Sequence, residues 1–331
     1  MNKHVVRVAG YLLRALGLIL VIVSLNFVLV HAMPGDPLIH ILGEDEYFTL
    51  SAQYPEKLEA VKQQYSLHGS MPEQYARYIY NVATLQFGSS YVDGTSVAQT
   101  VLFRLRWTLT LSLIAIAISA IIGGALGVLA GYKKGGRLDS VLTALFLFLE
   151  TIPANCLGLI LLVIFSYKLR WFPVGGMVSA GLSGFARFSS IVHHMVLPVI
   201  VLTLFRTSTN FLLMKSFVSQ IREEEYILVA RTKGLSPAGV LYRHLLKNVL
   251  VPYVTMLCVQ FSHILSGTMM VEIVFSWKGM GTLIYDGVIA RDYPTVQLCF
   301  LLTAICVIVF NLVSDIFCMG LDPRIRDGVK R

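Results

Sequence analysis

Six stretches of this sequence are each long and apolar enough to cross a membrane: about residues 10–33, 107–132, 138–167, 191–214, 249–275 and 294–320. A spanning helix needs roughly 20 mostly apolar residues. Lipid cannot satisfy open backbone, so several such spans in one chain predict a helical bundle. The expected fold is therefore an all-α membrane protein with six transmembrane helices. Composition agrees, with 56% hydrophobic and 14% charged residues, against roughly 45–50% and 25% in soluble domains. A soluble enzyme, a disordered chain and a nucleic-acid-binding domain are excluded as the main reading. The net charge of +8 does not imply a nucleic-acid partner, because basic residues of membrane proteins collect in cytoplasmic loops.

That bias gives an orientation. With the N-terminus in the cytoplasm, one side holds the N-terminus, the loop near 132–138, the segment 215–248 and the tail 321–331. That side carries about 16 of the 27 Lys and Arg residues, mostly in short segments. Both termini are thus expected in the cytoplasm. The first span follows Lys3, Arg7 and Arg14, and Val30-His31-Ala32 resembles a cleavage site. Its length and the five spans after it favour a retained helix. The segment 34–106 is polar, punctuated by Pro34, Pro37, Pro55 and Pro72, and expected outside, with a short helix near 55–65. The expected organisation is residues 1–33 as the N-terminal end and first span, 34–106 as an external segment, 107–320 as a five-helix core, and 321–331 as a cytoplasmic tail.

Residues 223–252 read as a helix, a tight turn and a second helix. Glu223, Glu224 and Glu225 suit a helix start, where the dipole is positive. Gly234 can take the left-handed conformation that closes a helix. Ser236 is a good N-cap and Pro237 suits the first helical position. Pro252 then leads into the fifth span. Two readings stand on physics alone: a basic amphipathic helix in the headgroup plane, or a rigid knob that fits a groove in a cytosolic partner.

The segment resembles the EAA loop of ABC-importer permeases in the peptide/opine/nickel family. The matching positions are Glu225-Tyr226, Ala230-Arg231-Thr232-Lys233-Gly234-Leu235 and Arg243-His244-Leu245-Leu246-Lys247-Asn248, followed by Pro252. Thr232 stands where the family usually has Ala. Further matches run along nearly the whole chain: Pro34-Gly35-Asp36-Pro37, Phe87-Gly88-Ser89-Ser90, Arg104-Leu105-Arg106-Trp107-Thr108-Leu109, Phe275-Ser276-Trp277-Lys278-Gly279-Met280-Gly281 and Asp322-Pro323-Arg324-Ile325-Arg326. Lys278 replaces the family's proline. The resemblance implies a bacterial inner-membrane, multi-pass permease of the type I importer kind, carrying di- or oligopeptides, nickel or metallophore-like solutes. It implies a second permease subunit, two cytosolic ATPases and an external solute-binding protein as partners, all around a lipid bilayer. Glu225, Tyr226, Ala230, Arg231, Lys233, Gly234, Leu235, Arg243, His244 and Asn248 would form the ATPase-coupling loop.

The chain contains no Gly-Lys dipeptide and hence no Walker A loop. No cofactor is expected on this chain, with ATP and Mg on the partner subunits and no catalytic or metal site. A secondary transporter or channel is the alternative, but it has no need of a docking loop. Intramembrane charges are costly and usually functional. Glu150 and Arg206 lie at similar estimated depths, so they are expected either to pair or to line the translocation path. Glu272 and Asp315 lie nearer span ends and are expected to reach interfacial water. His193-His194 point apart on a helix and make a poor chelate. Gly123, Gly124, Gly127 and Gly131 have helix-packing spacing. The five cysteines are expected to be small buried residues.

Overall fold

The structure, a computed structural model, describes residues 17–29, 31–32, 37–64, 67–262, 264 and 267–321. The Pro34-Gly35-Asp36 part of the first motif and the whole tail motif lie outside them. The described residues are mostly helical, with no strand among them beyond an isolated bridge between Ser89 and Ser96. A short apolar helix, α1 (Gly17–Leu29), is followed by α2 (Pro37–Leu42), α3 (Glu44–Gln53), α4 (Pro55–Gln64) and α5 (Met71–Ala83). The long α6 (Val97–Tyr132), then α7 (Arg137–Thr151) and α8 (Ala154–Leu161) come next, the last continuing as a π-helical stretch, Leu162–Lys168. After the long α9 (Gly184–Arg222) come α10 (Glu225–Thr232), α11 (Pro237–Gly239), a second π stretch (Val240–Leu245) and α12 (Leu246–Ser262). The chain closes with α13 (Met269–Val274), α14 (Met280–Ile289) and α15 (Tyr293–Leu321).

Among the described residues, α6, α9 and the Tyr293–Ser314 part of α15 are long and apolar enough to cross a membrane. A fourth span results if α7 and the helix Ala154–Lys168 count as one, although they meet at a 98° bend. The expected third span, 138–167, is therefore not one straight helix. Pro153 has no N–H to donate and pushes the residue before it out of the helical region. Ile152 accordingly sits at φ −86°, ψ 119°. The expected fifth span is also divided, with α12 ending at Ser262 and α13 starting at Met269. Two spans run longer than expected: α6 begins ten residues earlier, and α9 reaches 39 residues with Pro198 inside it.

The chain divides into two compact units, residues 1–106 with 279–308 and residues 107–278 with 309–331. In the second unit, Leu111, Leu157, Leu197, Val201, Leu202, Val271, Phe275 and Trp277 form a buried core. Trp277 meets Trp107 edge to face, with ring centroids 5.9 Å apart, a favoured aromatic geometry. The packing of α6 on α9 depends on three glycines spaced four apart. A Cβ on Gly123, Gly127 or Gly131 would lie 2.7–2.9 Å from the nearest α9 atoms, which belong to Thr207, Asn210, Phe211, Met214, Lys215 and Val218. Only a residue without a side chain allows this approach.

In the first unit, Val23, Val97, Val101, Met280, Leu283 and Leu298 form the core. Buried Asp292 gathers the loop before α6. Its carboxylate accepts the Ser90 hydroxyl at 2.6 Å, the Tyr91 N–H at 3.0 Å and the Thr295 hydroxyl at 2.7 Å. The expected short helix near 55–65 is α4. A stronger one, α5, carries a capping box, with the Ser70 N–H donating to Glu73 Oε2 at 2.8 Å.

Candidate docking site

The helix–turn–helix lies in the second unit, between α9 and α12. Its first helix starts at Glu225, later than three acids in a row would suggest. Glu223 instead closes α9, and its Oε1 accepts from Lys134 Nζ at 2.7 Å. That ammonium holds the exposed Glu223 carboxyl below the usual carboxylate range. Lys233 caps α10, and Gly234 follows at φ +79°, the left-handed conformation expected of it. Ser236 Oγ accepts the Gly239 N–H at 3.2 Å and Pro237 takes the first helical position. The second helix differs from the expectation in one respect: after one turn it runs as the π stretch Val240–Leu245 before α12. Such bulges displace side chains by a residue and recur at functional sites.

Ile227, Ala230, Val240, Leu245 and Val249 turn inward onto Met214, Val218 and Tyr253. Asn248 Nδ2 donates to the Tyr226 hydroxyl at 2.9 Å and to the His244 carbonyl at 2.9 Å. These contacts fix α10 against α12. The outward face presents Tyr226, Leu228, Val229, Leu235 and Tyr242 among the exposed charges Glu225, Arg231, Lys233, Arg243 and Lys247. Tyr242 is 72% exposed, the most open of these aromatic and aliphatic side chains. Beside it, a cavity of about 380 Å³ is lined by Tyr132, Arg222, Arg231, Leu235, Pro237 and Val240. The Tyr132 hydroxyl donates to the Pro237 carbonyl at 3.0 Å. The ten loop residues singled out in the sequence thus fall in one structural element. Tyr132, Arg222 and Tyr242 complete its surface and carry no motif of their own.

For Glu150 and Arg206 the expectation was either an ion pair or a place on the translocation path. Among the described residues, no ion pair joins Glu150 to Arg206. The ion pair between α7 and α9 is Asp139–Lys215, at 2.5 Å. A similar estimated depth does not by itself bring two side chains together, because helical phase decides contact. Arg206 is nine residues before Lys215, which turns it about 180° around α9, away from the face that meets α7. Glu150 is exposed at the end of α7, next to the bend. Glu272 does not reach interfacial water. It is fully buried on α13 and accepts the Thr108 hydroxyl at 2.6 Å. The break after α12 returns this residue to the core beside Val271. The Asp315 side chain lies outside the described residues. His193 contacts the Trp171 carbonyl at 2.9 Å and His194 the Ser190 carbonyl at 2.7 Å. Cys258 and Cys299 are buried as expected, whereas Cys156 is exposed.

Residues 123–327 match the family described as binding-protein-dependent transport system inner membrane component. The chain is similar to an oligopeptide transport system permease protein of Bacillus subtilis, 31% identical over 96% of this chain and 99% of that protein. A di/tripeptide transport system permease protein of Pseudomonas aeruginosa is 32% identical over 96% and 98%. A glutathione transport system permease protein of Salmonella paratyphi A is 33% identical over 95% and 97%.

Proposed function

The chain belongs to the family of inner-membrane components of binding-protein-dependent transport systems, and on that premise we propose how it works as the permease subunit of a peptide importer. Its role is a conduit for di- or oligopeptides across the bacterial inner membrane. Similarity to peptide and glutathione permeases along almost the full length of both chains carries the peptide reading.

The proposed assembly pairs this chain with a second, similar permease, two cytosolic ATPases and an external binding protein. ATP and Mg bind to the ATPases. The proposed topology has six spans, with α1 in the first, α7 with α8 as a bent third, and α12 with α13 as a divided fifth. Both termini and residues 215–248 face the cytoplasm, and residues 34–106 face outside.

The helix–turn–helix is the proposed coupling element. Its inward face is tied to α9 and α12 through Met214, Val218, Val249 and Tyr253. A push on its outward face is therefore passed to the membrane helices as one body. Leu235 and Tyr242 fit a groove in an ATPase, and Arg231, Lys233 and Arg243 set its orientation. When ATP closes the ATPases, the element moves and the pathway changes side.

Uptake of radiolabelled alanine di- and tripeptides tests this function. Cells lacking the gene should lose binding-protein-dependent, ATP-dependent uptake and regain it on complementation. Unchanged uptake of every peptide tested would overturn the peptide reading.

A further inference from the structure

Arg206 sits half-buried at mid-length in α9, and among the described residues it makes no hydrogen bond or ion pair. A guanidinium held this way in a membrane helix is costly. It is also the group best shaped to bind a carboxylate through two parallel hydrogen bonds.

Its surroundings share this incompleteness. The guanidinium comes within 3.8 Å of the position that a Cβ on exposed Gly267 would take, between α12 and α13. Thr203 and Asn210, three residues before and four after, lie within about 60° of Arg206 around the helix. The Thr203 hydroxyl is buried with no partner. Gln260 on α12 donates its amide N–H to Asn210 Oδ1 at 2.6 Å, and its Oε1 is buried without a partner. One face of α9 therefore offers an unpaired cation and an unpaired hydroxyl, with an unpaired amide oxygen across from it on α12. Buried polar atoms are rarely left so.

The geometry points to Arg206 as a specificity-determining residue that receives the free carboxylate of a peptide in transit. Thr203 supplies a second donor, and Gln260 Oε1 accepts an N–H of the same solute. The interaction is transient, since a conduit must release what it binds. The inference rests on the peptide-importer reading and assigns this chain a role in selecting its cargo.

The test uses Arg206→Cys in a chain whose five native cysteines are replaced, expressed with the whole importer. Uptake of radiolabelled trialanine should fall by about tenfold, as expected for losing one charged contact of ~1.5 kcal/mol or more, with the amount of protein in the membrane unchanged. Aminoethyl methanethiosulfonate, which rebuilds a cation at the site without the guanidinium fork, should restore part of the uptake. Methyl methanethiosulfonate, which adds no charge, should not. Equal rescue by both reagents would reduce Arg206 to a space-filling role and overturn the proposal. Uptake by the untreated cysteine variant at the wild-type rate would also overturn it. If the cysteine variant is absent from the membrane, Arg206→Lys decides: it should insert and retain part of the uptake, since it keeps the charge but not the two-pronged hydrogen bonding, and normal insertion without any uptake overturns the proposal. Failure of the wild-type importer to carry any alanine peptide would instead overturn the peptide reading, and this inference with it.

Discussion

Asn248 and Tyr226 are 22 residues apart in sequence, and the amide of one donates to the hydroxyl of the other at 2.9 Å across the Gly234 turn. The bond joins the start of α10 to α12 and makes the turn part of a rigid clasp. Removing it by Tyr226→Phe should cost about 0.5–1.5 kcal/mol, toward the lower end because the pair is exposed. Asn248→Ala should cost a similar amount. The double variant should lose little more than either single one. A thermal-shift cycle on the purified protein checks this, and strictly additive losses would show that the two side chains do not interact.

Gly234 has open space where a methyl group would sit but a φ of +79°, so any penalty there is backbone strain rather than crowding. A β-branched residue at such a position costs about 1–3 kcal/mol, while Asn tolerates it better. Gly234→Val should reduce peptide uptake with normal membrane insertion, and Gly234→Asn should restore much of it. Uptake rates normalised to immunoblot levels provide the comparison.

Gly127 presents the opposite case. Its φ is ordinary, but a Cβ would lie 2.7 Å from Met214 Cβ and 2.8 Å from the Phe211 carbonyl. Gly127→Val should separate α6 from α9 at a cost of about 1–3 kcal/mol or more. The yield of monodisperse protein in detergent should fall. Gly17→Ala, where nothing lies within 4 Å, is the matched control and should leave the yield unchanged.

Asp139 and Lys215 join α7 to α9, and the Gly135 N–H and the Thr143 hydroxyl also donate to the carboxylate. Lys215→Met alone strands Asp139. The expected loss approaches the ~3–5 kcal/mol typical of a broken buried pair, reduced by partial exposure of the lysine. Adding Asp139→Asn should recover part of that loss. Melting temperatures of the four proteins in one detergent measure the coupling.

Glu73 supplies a pH dependence. The Ser70 N–H donates to its carboxylate, which holds the carboxyl below the usual glutamate range. A carboxyl lowered by folding stabilises the folded state above its unfolded value, roughly 4.3. That stabilisation is lost as pH falls through the lower, folded value. Hydrogen exchange in α5 should therefore rise on strong acidification, after correction for intrinsic rates. Glu73→Gln should make the exchange insensitive to pH over that range.

The features readable in the sequence are local ones. Gly234, Ser236 and Pro237 each act on the backbone within a few residues, and each takes the conformation its chemistry favours. The glycine series 123, 127, 131 needs only helical spacing to be recognised. The capping box at Ser70 and Glu73 is equally local and announces α5, as does Pro72 beside it. Pro153 likewise marks the bend in the third span, where hydropathy alone sees one continuous apolar run.

What hydropathy and depth did not reveal depends on phase and on tertiary packing. Glu150 and Arg206 have similar estimated depths in the sequence yet form no ion pair among the described residues, and Lys215 is matched with Asp139, near the start of α7. Glu272 is near the end of an apolar run, yet the division between α12 and α13 buries it against Thr108. The π stretch Val240–Leu245 has no proline or glycine inside it to signal the change in winding.

In the proposed assembly the Gly234 turn docks on a nucleotide-binding partner, and crosslinking from Leu235 reads out that contact. Leu235 is exposed and lines the cavity at the base of the turn. A benzophenone amino acid placed there, in cells expressing the whole importer, should form a light-dependent adduct with an ATPase subunit. That adduct should weaken when Gly234→Val is added. Adducts with lipid alone, in cells where the ATPases are present, would rule out docking and place the element in the headgroup plane instead.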